Sequence, residues 1–264
     1  MGGGLIDDDV RMLGAVNTRV LVISLLAATP AFAGLPPIRT ANDAALQLSM
    51  KAPAKQEAAL SNLQAACRGR LRLALRDNAR VLARLKAMSK SGSDAVKKAV
   101  MDSARCATPA RFAPIIGVQL GDTSPAVVAY AAEAAARLED PVVVPMLLDT
   151  FDGKIERCMK PDLGAADLDV CVWLTYAPGA ALAGADEALR RRAAAAALRA
   201  FDAPHPKMRE VAVETLTATR LKEHAPRLAA LIAREKKKGG FDKPNDAALI
   251  GRFKKRLKTL RAAK

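Results

Sequence analysis

The sequence predicts an all-α protein, an α-solenoid of stacked antiparallel helix pairs. Three observations carry this expectation. Aromatic residues are only 3% of the 264 residues, and alanine and leucine are abundant. That balance suits close-packed helices, because strands enrich aromatic and β-branched side chains. Second, three segments align without gaps: Asp94 to Gly121, Pro125 to Asp152 and Pro206 to Ala233. In that register Asp102, Glu133 and Glu214 coincide, as do Pro114, Pro145 and Pro226, each followed two residues later by Ile116, Leu147 or Leu228. Third, the first two segments are offset by 31 residues, a period that marks repeated helix pairs stacking to build one core.

The first segment sets the compartment. "TRVLVISLLAATPAFAG" has a basic flank at Arg19, an apolar run from Val20 to Ala28, Pro30, and then Ala31-Phe32-Ala33. This is the pattern of a secretory signal peptide over residues 1–33, cut after Ala33. The run is short for a membrane span, so no transmembrane helix is expected after cleavage. Asp7, Asp8 and Asp9 place negative charge where such peptides are positive, and a start at Met12 removes that objection. An exported chain, periplasmic or secreted, follows.

Residues 34–91 read as an N-terminal helical cap or degenerate repeat, with helices over 41–65 and 70–88. The second of these carries a ladder: Arg68, Arg72, Arg76, Arg80 and Arg84 recur every fourth residue. On one helix each step turns 40°, so the five would sweep about 160° opposite Leu71, Leu75, Leu82 and Leu85. Such a face is either a contact for an anion or partner, or a solvated surface.

Residues 92–235 hold the repeats. In each, the first helix carries small apolar residues at helical spacing, for example Val127, Ala131, Ala134, Ala135 and Leu138. Pro125 and Pro206 suit the first helical position, where a missing N–H costs nothing. Pro114, Pro145 and Pro226 are expected near the first turn of each second helix. The 81-residue offset to the third segment leaves room for one further unit, with helices at 166–177 and 186–201 and an inserted loop near 152–165. Residues 236–264 are a basic linker and a final helix. From Arg234 to Lys264 there are twelve Lys or Arg and three acids. Ile250, Phe253, Leu257 and Leu260 form its apolar stripe. Lys254, Lys255, Arg256 and Lys258 fill the other face, a pattern fit to cap the stack or to lie on an anionic surface.

"DTSPAVVAYAAEAAARLEDPVVVPML" resembles the HEAT repeat family, in particular the short HEAT-like repeats of the phycobilisome-lyase type. The resemblance covers 92–235 well and 41–91 loosely. It implies a HEAT-like superhelix whose second helices line a concave surface. It implies no chemistry, since no bilin-attachment residues can be carried over and the fold hosts many functions.

Four cysteines in an exported chain point to disulfides, with three possible pairings. Cys158–Cys171 is the expected bridge, stapling the inserted loop and contributing about 3 kcal/mol by closing a short loop. Cys67–Cys106 is then the remaining pair. Straight helices on either side of the turn near residue 90 would leave these two about 10 Å out of step, so that bridge requires a bend. Clustered Cys/His spacing for zinc is absent. Asp162, Asp167 and Asp169 match no calcium loop. His205 and His224 have no nucleophile nearby and read as surface or capping residues. No catalytic, metal or cofactor site is expected, and the chain reads as a non-enzyme.

The net charge is +15, and residues 1–33 contain two basic and three acidic residues, so the chain after cleavage carries +16. Such charge attracts anions without choosing among them. The leading expectation is a protein–protein interaction scaffold for an acidic partner. The alternative is a binder of anionic envelope surfaces, lipid headgroups or polysaccharide, through the basic helices. Nucleic acid is disfavoured by export. It returns as a ligand if the chain stays inside the cell, because HEAT-like DNA glycosylases use a basic face.

Overall fold

Helix caps and helix breakers divide the chain into short helices. The computed structural model describes residues 35–237 and 244–263, and the segment read as a signal peptide lies outside them. Among the described residues there are thirteen α-helices and no strand. They are α1 Ala41–Gln47, α2 Pro53–Arg68, α3 Arg72–Leu75, α4 Ala79–Ser91, α5 Asp94–Asp102, α6 Pro109–Leu120 and α7 Pro125–Leu138. After these come α8 Val144–Cys158, α9 Ala165–Ala180, α10 Glu187–Ala200, α11 Pro206–Thr219, α12 Ala225–Lys237 and α13 Pro244–Ala262. No described helix is long and apolar enough to cross a membrane.

Local chemistry sets the starts. Thr40 and Asp43 form a reciprocal capping box at α1. Asn78 accepts from the Arg80 and Val81 amides at α4, Ser93 from Val96 at α5, and Asp186 from Leu189 at α10. Each side chain satisfies amides that a helix start leaves orphaned. Pro125 and Pro206 open α7 and α11, as their spacing predicts.

The repeat register extends to backbone conformation. Glu139 (φ 52°) and Arg220 (φ 59°) end α7 and α11 in the left-handed region, and they are 81 residues apart. A 3-10 turn follows each, at Pro141–Val143 and Lys222–His224. Pro145 and Pro226 then fall in the first turn of α8 and α12. Pro114 does not, contrary to expectation. Pro109 starts α6 early, so the equivalent turn is continuous helix and Pro114 sits inside it.

Two layers result. Helices α2, α5, α7, α9, α11 and α13 each pack on the next, and α1, α4, α6, α8 and α10 do the same. The layers meet through α4 on α5, α6 on α7, α8 on α9, α10 on α11 and α12 on α13. Ala131, Ala132, Ala134, Ala135 and Ala136 of α7 are all buried, as are Ala193, Ala194, Ala197 and Ala200 of α10. Small side chains let neighbouring backbones approach closely. Phe112, Phe151 and Phe253 are the largest fully buried residues. The helices belong to one compact unit, Pro37–Lys264.

Ion pairs tie helices within a layer. Arg137 of α7 reaches Asp102 of α5, Arg192 and Arg199 of α10 reach Asp149 and Asp152 of α8, and Arg252 and Arg256 of α13 reach Glu210 and Glu214 of α11. Asp102 and Glu214 are two of the acids that coincide in the repeat register. The exposed pairs among these contribute about 0–1 kcal/mol each, so they set register more than stability, whereas Arg256–Glu214 is half-buried.

Three expectations are corrected. The helix over 41–65 is two helices, separated by residues 48–52. The helix over 70–88 is broken at Arg76–Asn78, where Asp77 adopts φ 58° and Asn78 caps the next helix. The inserted loop near 152–165 is mostly helix. Phe151, Ile155 and Cys158 are buried and continue the stripe of Leu147 and Leu148, so α8 runs on to Cys158 and only 159–164 loops.

His205 caps α11, its Nδ1 accepting the Lys207 amide at 3.2 Å. Burial, then the charges of Arg209 and Lys207, lower its pKa below 6.5. Its neutral form is the folded form, so the unfolded chain takes the proton more readily. The cap's stability is therefore present above the ordinary value and lost as pH falls through the lowered one. In thermal melts from about pH 7.5 to pH 5, His205→Ser should lose less stability than the parent chain, because serine caps without titrating. Equal losses would acquit His205.

Candidate functional site

The break at Asp77 changes what the arginine ladder is. Arg68 ends α2, Arg72 lies in the one-turn α3, Arg76 follows α3 in extended conformation, and Arg80 and Arg84 begin a separate helix. The single helical face expected from the spacing does not form. Arg80 instead donates to Asn42 Oδ1 at 3.0 Å, and Arg84 is exposed on α4.

Arg68, Arg72 and Arg76 line one cleft, of about 930 Å³, with Arg105 and Arg137. The wall from α2 and α3 carries the first three. The 3-10 turn Ser103–Cys106 supplies Arg105, and α7 supplies Arg137. Met101, Ala104, Ala134 and Leu138 give an apolar lining. Among the described residues Asp102 is the one carboxylate in the lining. Its Oδ1 is already taken: the Tyr130 hydroxyl donates to it at 2.7 Å and Arg137 at 3.5 Å. Burial, then the bond and charge of Asp102, push Tyr130 up to about 12, so the phenol stays a donor. Arg137 also lies over the Tyr130 ring, 5.3 Å from its centroid, and 3.5 Å from Glu133. Burial raises the Glu133 carboxyl against the pull of Arg137.

Arg137 is thus oriented by three neighbours. The guanidinium groups of Arg68, Arg72, Arg76 and Arg105 make no hydrogen bond or ion pair among the described residues. Four free forks and one oriented fork around a single cleft suit carboxylates or phosphates, which guanidinium binds bidentately. The cleft lies on the layer of first helices, not on the second-helix layer that the family resemblance favours.

A corner holds the cleft together. Cys67 and Cys106 are paired, with Cα atoms 5.4 Å apart. The bend that this remaining pair requires is present. The chain bends at Asp77, whose amide donates to the Cys106 carbonyl at 3.2 Å. Asp77 Oδ1 accepts from the Thr108 amide at 2.7 Å and hydroxyl at 3.0 Å. Cys158 and Cys171 also pair, as expected, with Cα atoms 5.5 Å apart.

The basic tail is largely committed. Ile250, Phe253 and Leu260 of α13 are buried, and α13 packs on α11 and α12. Arg256 pairs with Glu214 through Nε and Nη2. Lys254, Lys255 and Lys258 remain exposed. Trp173 and Tyr176 meet edge to face at 5.7 Å, both half-buried, as a packing edge. Among the described residues no group of three His, Cys, Asp or Glu is placed to hold a metal ion. The chain matches no family model, and comparison with curated proteins and solved structures finds no significant match.

Proposed function

We propose that the chain is an exported, non-enzymatic HEAT-like α-solenoid that serves as a scaffold for an acidic protein partner, gripped by the arginine cleft. The repeat register, carried through left-handed helix ends, 3-10 turns and prolines, supports the solenoid. Paired cysteines fit an oxidising compartment. One observation carries the partner class: four arginines face one cleft with no carboxylate on them among the described residues. Like charges gathered this way favour a ligand that brings the missing negative charge. The envelope-surface alternative needs a free apolar stripe on α13, and three of its four residues, Ile250, Phe253 and Leu260, are buried in the fold.

The test is binding of a fluorescein-labelled polyglutamate peptide by fluorescence anisotropy. Replacing Arg72, Arg76 and Arg105 together with Gln should weaken binding about 1,000-fold or more, because three charge-assisted contacts at about 1.5 kcal/mol or more each are lost. Thermal stability should stay near the parent value, because these side chains hold nothing within the fold. A Lys254/Lys255/Lys258→Gln variant should bind nearly as the parent does. The reverse ranking would move the contact to the tail, and no binding by the parent chain would end the acidic-partner reading.

A further inference from the structure

We propose that the Cys67–Cys106 bridge, together with Asp77, is the positioning device of the arginine cleft, so that reducing the bridge to two thiols releases the acidic partner. The inference rests on the cleft being the partner's contact.

Covalent neighbours make the first link. Arg68 follows Cys67 and Arg105 precedes Cys106, so the bridge fixes two opposing cleft arginines relative to each other. The segment between Cys67 and Asn78 carries Arg72 and Arg76. Its inward anchors are the buried Leu75 and the Asp77 bonds to Cys106 and Thr108. Cys106 is therefore the hub: its sulfur holds α2 and its carbonyl holds the bend after α3. Cys67 itself lines the cleft.

Charge supplies the driving force. Five arginines share the cleft with one carboxylate, and like charges at this density repel. While the bridge is closed, covalent connection opposes that repulsion. Once it opens, the wall that carries Arg68, Arg72 and Arg76 can move away from Arg105 and Arg137. A bound acidic segment then loses simultaneous contact with both walls. The Cys158–Cys171 bridge joins α8 to α9 and does not line the cleft, so it has no such effect.

The chemical step is thiol–disulfide exchange with a dithiol reductant. A thiolate of the reductant attacks one cysteine's sulfur, breaks the S–S bond, forms a mixed disulfide with that cysteine and releases the other as a thiolate. Its second thiolate then attacks the reductant's sulfur in the mixed disulfide, closes the reductant's own disulfide and expels the first-attacked cysteine. Two electrons pass from the reductant to the pair, and both cysteines take up protons.

The experiment uses the full chain with Cys158 and Cys171 replaced by Ser, so that only Cys67–Cys106 can be reduced. Affinity for the labelled polyglutamate peptide is measured before and after dithiothreitol, with circular dichroism recorded on the same samples. Reduction should weaken binding about tenfold or more and flatten its salt dependence, with the helical signal retained. Unchanged affinity and salt slope after reduction would overturn the tether and leave the acidic-partner reading standing. Absence of binding by the oxidised chain would overturn both. If reduction collapses the helical signal, Asp77→Gly in the oxidised chain is the deciding variant. Glycine tolerates the left-handed backbone, keeps the bridge and removes both Thr108 bonds. Binding about tenfold weaker supports the device, and parent-like binding overturns it.

Discussion

Replacing Glu235 with Ala is expected to destabilise the fold by about 3–5 kcal/mol, among the largest effects available in this chain. Glu235 is 1% exposed and Arg209 7%. Arg209 Nη2 donates to Glu235 Oε2 at 2.9 Å, and its Nη1 donates to the carbonyls of Ala203 and Pro204. Arg209 thereby ties the loop before α11 to the end of α12. Removing the carboxylate leaves a guanidinium out of water with only two carbonyls for company. The stabilising part of such a pair is not its attraction but the avoidance of that orphaned charge. The double variant Arg209→Met/Glu235→Leu should therefore recover most of the loss. It retains a smaller cost, about 1–3 kcal/mol, from the two carbonyls left without donors. Urea denaturation of the parent, Arg209→Met, Glu235→Leu and the double variant measures the coupling. A single-variant loss below about 1 kcal/mol would place the pair in water.

Gly179→Val should cost about 3 kcal/mol, the upper end for overpacking. A Cβ at Gly179 would stand 2.7 Å from the Thr215 Cα and 2.8 Å from its Oγ1. The nearest atom is backbone, so no side-chain rotation relieves it. That crossing also carries a bond, from Thr215 Oγ1 to the Thr175 carbonyl at 2.6 Å. Gly179→Ala is the milder case, since its clash is offset by about 1 kcal/mol of helix propensity. Thermal melts rank the variants. Thr215→Ala should not rescue either one, because the clash with the backbone of residue 215 persists. Rescue would assign the clash to the hydroxyl.

The helices and their order were legible because short-range chemistry decides them. Proline at the first position, Ser, Asn and Asp caps and the 31-residue offset all act within a few turns of chain. The break at Asp77 was legible too, in Asp77-Asn78, a pair that tolerates left-handed backbone and caps helices. The four-residue spacing of the arginines hid it, because a helical period says nothing about whether the helix continues. Arg105 and Arg137 could not be found that way. They reach the cleft only through the packing of α2, α5 and α7, which no local pattern around either residue records. The Cys67–Cys106 bridge forms as the remaining pair, but the bend it requires was hidden for the same reason as the break in the ladder: both stretches were read as straight helices. In the third repeat the register fixed where Glu214 would sit, but its partner Arg256 comes from the tail, outside the repeat.

The ion pair from Arg199 to Asp152 spans 47 positions, and the two bridges span 39 and 13. Each helix therefore meets the neighbours named above within a short stretch of chain. Loop closure is then a small entropic toll at every step, and folding can advance by adding helices to an existing edge, quickly for a chain of this length. The arginine cleft, lined by residues between 64 and 138, would be complete while the C-terminal half was still being synthesised.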